Sequence, residues 1–116
     1  MSNPIRLFMV LEAALFIAAA FVHSGFLVTG YEHERARVAE GVIATVLLGA
    51  AAWTWMRPAW LRNAGVFGQG FALLGTLVGL ATIAIGVGPR TAPDIAYHVA
   101  IAAILVWGLA VTRRAG

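Results

Sequence analysis

The sequence predicts an all-α, polytopic membrane protein: a four-transmembrane-helix up-down-up-down bundle with N- and C-termini cytoplasmic. Composition is the first observation behind this. Of 116 residues, 61% are hydrophobic and only 11% charged, where a soluble domain carries about 25%. Segmentation is the second. Four apolar stretches, approximately residues 7–28, 38–55, 66–87 and 92–111, each approach the roughly 20 helical residues that cross a hydrocarbon core of about 30 Å. Short links between them make consecutive helices antiparallel neighbours, so residues 1–116 form a single domain.

The arginines give the orientation. All eight basic residues are arginine. Arg6, Arg57, Arg62, Arg113 and Arg114 fall at one end of the spans, and Arg35, Arg37 and Arg90 at the other, with Glu32, Glu34 and Asp94. The positive-inside rule then places both termini in the cytoplasm, in the inner (cytoplasmic) membrane of a bacterium. Trp53, Trp55 and Trp60 gather at the same end, where indole rings favour the headgroup region. Basic residues spread over ends and loops are a topology signal and predict no nucleic-acid partner. Without cysteine, disulfides and thiolate sites are excluded. Residues 7–28 exceed a signal-peptide core and show no clear cleavage site, so no targeting peptide is expected.

Taken in order, span one carries Glu12 in its cytoplasmic half and His23 near its outer end, and span two carries Glu40 near its start. Span three is punctuated by glycines and contains a Gly75-x-x-x-Gly79 pair, a small-residue face that predicts close packing in the bundle, a homo-oligomer or a larger membrane complex. Gln69 within it requires a hydrogen-bonding partner on a neighbouring helix. Span four has an uninterrupted apolar run only from Val99 to Val111, so to cross a bilayer it must reach back through His98 and Tyr97 to Asp94.

His23, Glu40, Asp94 and His98 therefore lie at similar depth near the outer face, and ionisable residues in lipid point to function. Asp94 and His98 are four apart, on one helical face. Two imidazoles and two carboxylates form a candidate divalent-metal site. Alternatively His23 and His98 supply the two axial ligands of a b-type haem, or the four residues form a structural network or proton relay. Asp94 also fits a helix cap, and Glu40 a partner for Arg35 or Arg37. The polar loop Tyr31-Glu32-His33-Glu34-Arg35-Ala36-Arg37 reads as a solvated turn. No phosphate loop or nucleophilic triad is present, and no catalytic residue is assigned.

Glu12 stands alone in Met9-Val10-Leu11-Glu12-Ala13-Ala14. A carboxyl without a counter-ion in hydrocarbon favours its neutral form and can exchange protons; alternatively Glu12 pairs with Arg6 or snorkels inward. About 110 residues in four spans, a lone glutamate in the first, a glycine-rich third and Gly86-Val87-Gly88 resemble the small multidrug resistance transporters. That resemblance implies proton-coupled export with Glu12 as the proton-binding residue, in an antiparallel dimer. The chain departs from the family in having no lysine after span one and no tryptophan in span three, and in its arginine asymmetry. The leading functional expectation is binding or conduction of a small ligand, cation or proton at the outer polar site. A non-catalytic accessory or assembly subunit of a membrane complex, and a drug exporter centred on Glu12, are the alternatives.

Overall fold

The computed structural model describes residues 3–115. Four helices follow one another: α1 (Pro4–Ser24), α2 (Glu34–Met56), α3 (Leu61–Ala84) and α4 (Ala92–Arg114), with one 3-10 turn, Pro58–Trp60, leading into α3. Each is long and apolar enough to cross a membrane. A 23-residue helix such as α2 or α4 spans about 34 Å.

The helix ends follow local chemistry that hydropathy does not register, and they correct the boundaries read from it. α1 begins at Pro4, because the Asn3 side chain caps the Ile5 amide at 2.9 Å and proline at the first position needs no donor. It stops at Ser24, not near residue 28, because Gly25 turns left-handed at φ 78°. The apolar Phe26, Leu27 and Val28 belong to the loop. α2 starts a full turn before residue 38: His33 caps it by accepting from the Ala36 amide at 3.1 Å, and Arg37 pairs with Glu34 at 2.5 Å. Charged first turns look like loop to a hydropathy scale. α2 ends before Pro58, and Leu61 resumes the chain as α3 five residues ahead of expectation.

Each helix packs on its chain neighbour and α4 returns to α1, closing the bundle. α1 also meets α3 across the centre, whereas among the described residues α2 and α4 make no close approach. Ile5, Met9, Phe16, Leu47, Ile101 and Leu105 form the core. Glycines of α3 permit tight helix contact: a Cβ at Gly68 would stand 2.9 Å from that of Ala50, and one at Gly75 would stand 2.7 Å from Ile43 Cδ1. The outer surface is apolar, with Leu11, Phe67, Leu74, Val78, Val99 and Trp107 exposed, while the buried set includes Glu12, His23, Glu40, Gln69, Asp94 and His98. A chain with its polar groups inside and its apolar groups outside fits lipid as its surroundings.

Candidate functional site

His23 sits on the last turn of α1, with its ring between the other two outer helices that carry carboxylates. Its Nδ1 lies 2.6 Å from Glu40 Oε1 on α2, and its Nε2 lies 2.8 Å from Asp94 Oδ1 on α4. All three are buried. The imidazole thus joins α2 to α4, the two helices that do not pack on each other.

Local sequence fixes Asp94. Thr91 is the N-cap of α4: its hydroxyl accepts from the Asp94 amide at 3.2 Å and donates to Asp94 Oδ2, and the Thr91 amide donates to the same oxygen at 3.2 Å. Asp94 is therefore the returning member of a capping box, not the cap itself. With Oδ2 accepting from two donors, Asp94 serves as a carboxylate, and His23 Nε2–H donates to Oδ1. One proton then remains between His23 Nδ1 and Glu40 Oε1, either as an imidazolium donating to a carboxylate or as a carboxylic acid donating to a neutral ring. Both arrangements leave the triad with one net negative charge. Among the described residues no arginine lies within ion-pair distance of it; Arg37 is engaged by Glu34.

His98 is on the same helix but faces elsewhere. Its Nδ1–H donates to the Asp94 carbonyl at 2.7 Å, one turn back, which leaves Nε2 with a free lone pair. The ring rests against α3, where a Cβ at Gly79 would come 3.1 Å from Nε2. His98 and Glu40 line a cavity of about 210 Å³ together with Thr76, Gly79, Tyr97 and, at its polar rim, His33 and Arg35. Glu40 Oε2 is buried and has no hydrogen-bond partner. Glu40 therefore lines the cavity while one of its oxygens lies buried beside it without a donor.

The residues marked in the sequence fall into distinct settings. Both ring nitrogens of His23 bond carboxylates, whereas His98 lines the cavity against α3. Among the described residues no group of three histidine, aspartate or glutamate side chains is arranged to hold a metal ion. Glu40 pairs with His23 and not with an arginine. His33 is no solvated loop residue: half-buried, it caps α2, donates from Nε2 to the Val87 carbonyl at 3.2 Å and stacks edgewise on His23 at 6.4 Å. Gly75 and Gly79 face Ile43 and His98 of their own chain. Glu12 does not pair with Arg6, whose guanidinium donates to the Thr54 hydroxyl and carbonyl at 3.0 and 2.9 Å.

Thr76 and Thr91 had no role in the sequence expectations, and Tyr97 and His33 appeared there only as part of span four and of the polar loop. Only Thr91 left a local trace there, in the Thr91-x-x-Asp94 spacing of a capping box. No protein-family model, curated protein or solved structure matches the chain.

Proposed function

We propose that this chain is a small integral protein of the bacterial inner membrane, with both termini cytoplasmic, that binds a small hydrogen-bond-donating cation, or a proton, in the cavity between Glu40 and His98. One observation carries the reading: Glu40 has one oxygen held by His23, and its other oxygen is buried without a partner in a residue that lines the cavity. A buried unpaired acceptor costs about 1–3 kcal/mol, more for a charged group. A donor entering the cavity removes that cost and offsets the triad's net negative charge. The His98 Nε2 lone pair supplies a second acceptor, and Phe16, Ile43 and Val78 enclose the apolar part of a ligand. Ammonium or methylammonium has the charge, donors and size for this space.

Calorimetric titration of purified protein with methylammonium tests it. Saturable binding that weakens at least about tenfold, or about 1.4 kcal/mol, in both Glu40→Gln and His98→Ala supports the proposal. Absence of binding, or equal affinity in wild type and both variants, overturns it. A second reading, an accessory subunit whose cluster only fixes helix packing, is supported by the way His23 spends both nitrogens on joining α1, α2 and α4. It takes precedence if no cation binds.

A further inference from the structure

The end of the bundle that carries the termini holds a second polar cluster, unrelated to the first. Glu12 on α1 and Gln69 on α3 are both 0% exposed. Neither oxygen of Glu12 has a hydrogen-bond partner, and neither does Gln69 Oε1. Gly108 on α4 explains how they fit. A Cβ there would stand 2.0 Å from Gln69 Oε1 and 2.8 Å from Glu12 Oε2, so the two unsatisfied oxygens converge on a gap that exists only because residue 108 has no side chain.

The neighbouring bonds fix the direction of the donors. Thr112 Oγ1–H donates to the Gly108 carbonyl at 2.7 Å, so its oxygen is left to accept. Gln69 Nε2 donates to that oxygen at 2.7 Å, and also approaches the Gly65 carbonyl at 3.3 Å. Turning the amide over would set Gln69 Oε1 against the Gly65 carbonyl, which has no hydrogen to give, and would draw the Thr112 hydroxyl away from Gly108. Gln69 Oε1 therefore points into the gap it shares with Glu12 Oε2, and an amide oxygen carries no proton. Two bare oxygens converging on one buried gap repel, and the carboxyl is the member able to supply the missing hydrogen.

No cation offers an alternative. Among the described residues none lies within ion-pair distance of Glu12. On α1, Arg6 is committed to Thr54; on α3, Arg62 donates to the Arg113 carbonyl at 3.1 Å. Arg57 follows α2, and Arg113 and Arg114 form the exposed last turn of α4. A proton needs no volume, which suits a site enclosed by Phe8, Gln69 and Gly108.

We propose that Glu12 is a proton-binding site, a neutral carboxylic acid that donates to Gln69 Oε1 and so completes a hydrogen-bond chain from α1 through Gln69 of α3 to Thr112 and Gly108 of α4. Release of the proton sets a carboxylate against the amide oxygen, and the chain holds together only if Gln69 turns or α1 shifts. Packing of three helices at this end is thereby tied to one proton. The site does not depend on cation binding in the outer cavity.

Infrared spectroscopy of the purified protein at neutral pH tests the proposal. A carboxylic C=O band is expected that shifts when glutamate is isotope-labelled, persists in Glu40→Gln and is missing in Glu12→Gln. Glu12 and Glu40 are the buried glutamates, so labelled Glu40→Gln protein reports on Glu12 even if Glu12→Gln does not fold. Gln69→Leu should move the band, because it removes the acceptor. If labelled Glu40→Gln protein shows no carboxylic band, Glu12 is ionised and the proposal fails; a band that Gln69→Leu leaves unmoved overturns the assigned partner.

Discussion

Gly79 and His98 form a matched pair: the missing side chain on α3 is the space into which the His98 ring fits, with Nε2 at 3.1 Å from where a Cβ would stand. A methyl group at 79 must push the ring toward the cavity. Gly79→Ala is therefore expected to weaken methylammonium binding several-fold and to cost about 1–3 kcal/mol of stability through overpacking, measured by calorimetric titration and denaturant unfolding.

The His23 triad should behave as one unit. His23→Ala removes the group that separates Glu40 from Asp94 and leaves both carboxyls buried without it, for which breaking a buried pair predicts a loss of about 3–5 kcal/mol. Adding Asp94→Asn to His23→Ala should cost far less than the sum of the two single changes, since coupled partners are non-additive. Unfolding midpoints of the two single variants and the double variant check this; additive losses would mean the residues act separately.

Thr91→Ala probes how the loop orients the site. Loss of the cap is expected to cost about 1 kcal/mol, and the freed Asp94 Oδ2 should loosen the hold on His23. Thr91→Ser, which restores the hydroxyl, should recover both the stability and the His23 ring-nitrogen shifts.

The glycines divide by what surrounds them. A Cβ at Gly65 would meet Ile5 at 2.6 Å and Thr112 at 3.0 Å, whereas at Gly41 and Gly49 nothing lies within 4 Å. Gly65→Ala should destabilise, while Gly41→Ala and Gly49→Ala should each stabilise α2 by up to about 1 kcal/mol through helix propensity. Thermal unfolding of the three variants provides the comparison.

The arginine asymmetry predicts orientation. A reporter fused at the C-terminus should be active only in the form that works in the cytoplasm; activity of a periplasmic reporter, or of both, would reverse or abolish the assignment.

The sequence by itself determined the all-helical class, with four helices long and apolar enough to cross a membrane, because four long apolar segments in a chain with 11% charged residues satisfy their backbone internally as helices. It also marked Glu12, His23, Glu40, Asp94 and His98 as ionisable groups inside those segments, and the need of Gln69 for a partner on another helix, which is Thr112. Only the tertiary structure decided which groups meet. Hydropathy gives a residue's depth along a helix but not the direction in which it points, and each residue turns a helix by about a quarter of a circle. That rotation is set by contacts such as Gly68 on Ala50 and Gly75 on Ile43, whose effect cannot be read along one segment. So Asp94 turns to His23 while His98, four residues on, bonds back to the Asp94 carbonyl and faces Gly79. Likewise Gly108, one glycine in an apolar run, acquires its meaning only where Glu12 and Gln69 converge on it from two other helices.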